Sequence, residues 1–283
     1  MESQNESKQS IICITGDIDY FNTESIECLR SYFSVLHKYN IKGTFFITAK
    51  AAEEYPERVE YILKNRHDVE GHGDIHMAFN ESVQLQEIRL RNMKKIFSDL
   101  FDIDINGFRA PWYKHNKNLF QALSRTDMRF DCSRKRFEIA FKNIPYFRKK
   151  YMYSPFYPPL KPFLKFIAKA YNFTHNTDHR YPYFIYPGIL EIPTLGISDY
   201  SLIGDRNGPK FSPNECNKIA SIWIECSTSF IASGGGVLTI QAHPGGVSPL
   251  YNEALDLFIR ENIKKGSNFL PAEEVCTMFS KKL

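Results

Sequence analysis

The chain has no run of 18 apolar residues, so no segment reads as a membrane-spanning helix. Its start, Met1 to Ser10, is polar and has no apolar core of the kind a secretory signal needs, so no such signal is expected. There is no C-x-x-C pair. Cys13, Cys28, Cys132, Cys216, Cys226 and Cys276 lie far apart, and at 283 residues a disulfide scaffold is not expected. We therefore read them as free thiols of a cytoplasmic protein. No internal repeat and no low-complexity tract is present. What remains is ordinary globular composition: 43% apolar, 24% charged, formal charge +4. That excludes global disorder.

The first half alternates short apolar runs with amphipathic stretches. Strands are expected at 11–15, 43–48, 67–71 and 105–110. Helices are expected at 23–40 with Thr23 as cap, 51–66, and 82–100 with Val83, Leu85, Ile88, Met93, Ile96 and Phe97 as much of its apolar content. The second half is less regular. Strands are expected at 189–193 and 237–241, and helices at 212–233 (Ser212 as cap), 252–264 and 271–281. This order predicts an α/β fold with a mainly parallel sheet. A barrel and an open doubly wound sheet both fit it.

Functional groups in such folds gather at the C-terminal ends of strands. Four strand ends carry unusual polar residues. After Ile11–Thr15 come Asp17 and Asp19, two carboxylates that share a face if the strand continues. The plain alternative is a capping Asp in a turn. In Gly71-His72-Gly73-Asp74-Ile75-His76, two imidazoles four apart can meet one ion, and Asp19 would complete a His-His-carboxylate site open to water. Arg109, followed by Ala110-Pro111-Trp112-Tyr113, can hold a carboxylate in a fork; the plain alternative is a structural ion pair. His243 leaves the apolar strand Val237–Gln241 before Pro244-Gly245-Gly246. Alone it reads as a structural His; with the other three in order it reads as catalytic.

The ordered set T-G-D-I-D, H-G-D-I-H, R-A-P-W and Q-A-H-P resembles the polysaccharide deacetylases (carbohydrate esterase family 4, NodB-homology domain) from Asp17 to His243. The resemblance implies a distorted (β/α)7, TIM-barrel-like fold in one catalytic domain over residues 1–283, with an irregular insertion at about 134–188. It implies a metal-dependent hydrolase that removes an acyl group from an N-acylated sugar. Asp17 would be the general base and Asp19, His72 and His76 the ligands of one divalent ion. Zinc is first by ligand type, with cobalt, nickel or manganese also fitting. Arg109 would hold Asp17, the backbone N–H of Trp112 would help stabilise the oxyanion, and His243 would be the general acid. Tyr113 and Asp131 are expected at the substrate, Asp131 also as the group that tunes His243. The aspartates are separated by Ile18 where many members have them adjacent, and Gly16 stands where an apolar residue is usual. The separated form also resembles members acting on peptidoglycan or cyclic imides. A cyclic amide hydrolase and a non-catalytic carbohydrate-binding protein are therefore the alternatives.

Residues 134–170 hold ten Lys/Arg against one acid, Glu138, with ten aromatics and five prolines. The plain reading is a solvated insertion. The functional one is a surface for anionic material: a phosphorylated or lipid-linked sugar, or an anionic membrane. No nucleic-acid fold motif accompanies it, so nucleic acid is not expected.

Overall fold

The computed structural model describes residues 10–20, 24–136, 180–199, 213–244 and 249–281. Most of the basic segment and the caps expected at Thr23 and Ser212 lie outside them. The strands are β1 (Ile11–Ile18), β2 (Thr44–Ile47), β3 (Asp68–Gly71), β4 (Gly107–Phe108), β5 (Phe130–Asp131), β6 (Lys135–Arg136), β7 (Tyr183–Tyr186), β8 (Ile189–Glu191), β9 (Thr194–Leu195), β10 (Val237–Gln241) and β11 (Asn268–Phe269). The helices are α1 (Ile26–Lys38), α2 (Ala49–Glu54), α3 (Pro56–Lys64), α4 (Val83–Phe101), α5 (Asn118–Arg125), α6 (Pro213–Ala232), α7 (Pro249–Lys264) and α8 (Ala272–Ser280).

The sheet is a barrel rather than an open doubly wound sheet. Parallel pairs run β10-β1-β2-β3-β4-β5-β8. β5 and β6 are two parts of one bent strand, and so are β8 and β9. Phe130 pairs with Leu190 and, further along, Lys135 with Thr194, a shift of one residue in register. Thr194 also pairs with Thr239 of β10, which closes the ring. Seven parallel staves result, which is the distorted (β/α)7 barrel expected. β7 adds antiparallel outside β8, and β11 joins β1.

Local sequence explains the elements. All eight residues of β1 are buried, as a central parallel strand requires. Ser25 caps α1 through the Cys28 N–H, in place of the expected Thr23. Ser82 caps α4 as expected. The helix expected at 51–66 is two, because Pro56 starts α3 at its first turn. On α4, Leu85 and Ile88 are exposed. Its buried stripe is Gln86, Arg89, Leu90, Met93 and Phe97, so two polar residues face inward. All six cysteines are free. No helix among the described residues is long and apolar enough to cross a membrane.

At the opposite end of the barrel from the strand C-termini, before β3, lies a buried histidine, His67. Its Nδ1 accepts from the Gly43 N–H at 3.2 Å, and its Nε2 has no partner. Phe33 lies at 4.1 Å between ring centres, and His37 stacks at 5.4 Å. Burial, then His37 and Lys42, push its pKa down to about 3. Between that value and the ordinary 6.5 the unfolded chain binds the extra proton, so stability is full above pH 6.5 and falls as pH drops. We expect this group to remove about 3 kcal/mol between pH 7 and pH 4. Urea unfolding of His67→Asn should show a correspondingly flatter acid dependence than wild type. An equal acid dependence would contradict the assignment.

Candidate active site

Asp17 lies in the last turn of pleat of β1, with Asp19 two residues on. Gly16 between Thr15 and Asp17 allows a close approach: a Cβ there would meet Ala242 O and Pro244 Cδ, both at 2.9 Å. The glycine thus lets the end of β10, with His243, lie against β1. Ile18 cannot act as a spacer to solvent, since it is fully buried.

Asp17 Oδ1 accepts from Arg109 Nη1 at 2.7 Å, and Oδ2 accepts from Gln241 Nε2. Burial would raise its pKa, but Arg109, His72 and His243 outweigh that and hold it below the usual carboxylate range. Asp17 is therefore ionised at neutral pH. Arg109 is fully buried. Its Nη2 donates to Thr194 Oγ1 at 2.9 Å, its Nε to Cys132 O, and its guanidinium lies over the Phe46 ring at 4.2 Å. Such a charge is tolerable only with its partners in place.

The ends of β1 and β3 bring together Asp19, His72 and His76. Asp19 Oδ1 stands 3.4 Å from His72 Nε2 and 3.2 Å from His76 Nε2. One donor atom from each lies within 4.8 Å of the others. Donors around a tetrahedral ion at about 2.1 Å stand about 3.4 Å apart, so the three fit a divalent metal. His72 Nδ1 lies 2.7 Å from Arg109 O, a carbonyl that can only accept. The Nδ1 therefore carries the proton, and the Nε2 lone pair points to the cluster, the orientation metal ligands need.

His243 occupies the other side. Its Nδ1 lies 2.7 Å from Asp199 Oδ1, and its backbone N–H donates to Asp199 Oδ2 at 2.6 Å. Tyr251 OH donates to the same oxygen at 2.8 Å. Burial would lower the His243 pKa, but Asp199, with help from Asp17 and Asp19, raises it to about 9. Gln241 spans the site: the Nε2 that bonds Asp17 lies 3.2 Å from His243 Nε2.

Trp112 and Tyr113 both adopt left-handed backbone, φ 54° and 58°. For bulky residues this costs energy and marks a constrained loop. Pro111 starts the turn, and Ser133 Oγ accepts the Ala110 N–H at 2.8 Å. The Trp112 ring is half exposed and meets the His76 ring edge-on at 4.5 Å. Tyr113 lies beside Arg109, its hydroxyl shielded from solvent.

Seven of the expected residues thus converge: Asp17, Asp19, His72, His76, Arg109, Trp112 and His243. Asp131 does not join them. It is fully buried and accepts from the Ser133 N–H and Oγ, which in turn holds Ala110. The group on His243 is Asp199, not Asp131. The reason is topological: Asp131 ends β5, whereas Asp199 follows β9, which pairs with the strand leading to His243. Gln241 and Asp199 were both missed. Their only sequence signal is a polar residue at or just after an apolar run.

Residues 4–130 match the family model described as polysaccharide deacetylase. No curated protein matches the chain. Among solved structures, a Mycobacterium smegmatis protein assigned as a polysaccharide deacetylase superposes with a TM-score of 0.74 at 16% identity, over 100% of this chain and 94% of that one. The Puue allantoinase gives 0.65 at 12%, over 96% and 91%. A family 4 acetyl xylan esterase from Clostridium thermocellum, in complex with cobalt, gives 0.51 at 12%, over 95% and 91%. At these identities the likeness to solved structures is one of fold.

Proposed function

We propose that this chain, whose residues 4–130 belong to the polysaccharide deacetylase family, is a metal-dependent hydrolase that removes an acyl group, acetyl first, from an N-acylated sugar. One observation carries the reading. An ionised carboxylate and a strongly basic imidazole stand on either side of a three-donor cluster that fits one divalent ion. A base and an acid with widely separated pKa values are what amide hydrolysis requires.

An ion held by Asp19, His72 and His76 would supply Lewis-acid polarisation and a more acidic water; zinc suits the donor set, and cobalt, nickel and manganese can use it. The chain's own groups do the rest. Asp17 accepts the proton of the attacking water. Arg109 keeps Asp17 ionised and fixes its rotation. The Trp112 N–H is assigned to the oxyanion that forms as the carbonyl becomes tetrahedral. His243 Nε2–H gives its proton to the departing nitrogen, with Asp199 holding the ring through Nδ1. Tyr113, half-buried on the same turn, stands beside Arg109.

We further propose one catalytic domain over residues 1–283, cytoplasmic, with the basic stretch 134–170 meeting a phosphorylated or lipid-linked sugar at an anionic membrane. That stretch carries +9, leaving −5 for the rest. Flotation with anionic liposomes at low salt should bring the protein up, and neutralising Lys149 and Lys150 should reduce it. Failure to float would remove the membrane from the account.

A second reading is a cyclic amide hydrolase, favoured by the separated aspartates and by the fold likeness to the allantoinase. Mass spectrometry on a panel of N-acetylglucosamine oligomers, nucleotide-linked N-acetyl sugars, hydantoin and allantoin separates the two. We expect a loss of 42 mass units from an acetylated sugar. A gain of 18 on the ring substrates alone would favour the second reading.

A further inference from the structure

We propose that Arg89, on α4, clamps the loop that carries His76 and thereby sets the affinity of the site for a divalent ion. The inference rests on the metal reading of Asp19, His72 and His76. Between Gly73 and Glu81 the chain makes no helix and only one isolated bridge, at Phe79. Backbone groups in such a stretch must find partners elsewhere. On one side the first residues of α2 supply them: the Ala49 N–H donates to Gly73 O and the Lys50 N–H to Asp74 O, both at 2.9 Å.

On the other side stands Arg89. Its Nε donates to Asp74 Oδ1 at 2.9 Å, and Nη2 lies 2.8 Å from the same oxygen. Nη1 donates to Ala78 O at 3.0 Å and to Glu81 Oε1 at 2.8 Å, and Nη2 reaches Met77 O at 3.3 Å. Its guanidinium lies over the Phe79 ring at 3.9 Å. One side chain thus engages Asp74, Met77, Ala78, Phe79 and Glu81, on both sides of His76 in sequence. Arg89 is itself 7% exposed, so its charge is tolerated only because Asp74 and Glu81 flank it.

A plain ion pair would engage one carboxylate. This arrangement satisfies two carboxylates and two carbonyls from a planar fork, which a lysine cannot reproduce. The Asp of H-G-D-I-H thereby gains a role: it is the handle by which α4 holds the ligand loop. Groups that orient metal ligands typically change affinity by about 10–100-fold when removed.

The test is a chelator-competition titration of the metal-free full chain with Co²⁺, read by the visible absorption of the bound ion. Arg89→Met should bind at least tenfold more weakly, with an altered spectrum. Arg89→Lys should recover less than half of that loss. Asp74→Asn should act in the same direction, and adding it to Arg89→Met should cost little more. Arg91→Met, on the exposed face of the same helix, should bind as wild type does. Near-UV circular dichroism without metal checks the fold, and if Arg89→Met does not fold, Asp74→Asn decides. Wild-type affinity and spectrum in folded Arg89→Met or Asp74→Asn overturns the clamp alone. Wild-type protein that takes up no Co²⁺ overturns the metal reading, and the clamp with it.

Discussion

Asp17→Asn should lower kcat/KM for deacetylation about a thousandfold, within the 10²–10⁴ range of a lost general base. The substitution keeps the shape and leaves an oxygen for Arg109 Nη1, which donates to Asp17 Oδ1 at 2.7 Å. It removes the charge that accepts a proton from water. It also leaves a buried guanidinium with a neutral partner, so a stability loss of about 3 kcal/mol is expected beside the kinetic one. Because Asp17 is not one of the three clustered donors, metal content should stay near one per chain. A folded, metal-loaded Asp17→Asn protein with more than a tenth of wild-type activity would remove the base from the mechanism.

Asp199→Asn should shift the pH dependence rather than erase activity. With Asp199 beside it, His243 stays protonated to about pH 9. An acid must be protonated to give its proton, so wild-type kcat/KM should hold through neutral pH and fall as pH rises through that value. Burial alone pushes an imidazole pKa below 6.5, and burial is the largest single influence on His243. Without the carboxylate, the basic limb should move down by two or more pH units. At pH 8, one unit below the wild-type limb, that is a loss of about tenfold or more, recovered in large part near pH 6. A basic limb that stays near pH 9 would mean that another group is the acid.

The barrel and most of the site were legible because their signals are local. β1 and β10 are apolar runs that lead into Asp17, Asp19 and His243, and His72 and His76 sit four apart after a short strand. Other parts were not legible because they depend on long-range pairing. β5, β6 and β9 are two-residue pieces of bent strands, too short to read as strands. Their closure with β10 is what carries Asp199 to His243, 44 positions away. Asp131 drew attention by ending a strand, but its carboxylate is spent on Ser133, which braces the Arg109–Trp112 turn. Gln241 stands in a fully buried strand and reads as one more interior position until Asp17 and His243 are seen on either side of it. Arg89 lies in mid-helix among charged neighbours, where a solvated face is the natural expectation, yet it is among the most buried polar residues of α4.

The central claim is that the ion at Asp19, His72 and His76 enables this chain to release acetate from an N-acetylated sugar. The most direct measurement is acetate release from the sugar panel by protein stripped with a chelator, before and after one equivalent of Zn²⁺ or Co²⁺. The account predicts no release from the stripped protein and recovery on adding metal, with Asp19→Ala showing no recovery. Equal release with and without metal, or none from any acetylated sugar by protein shown to hold the ion, would contradict it.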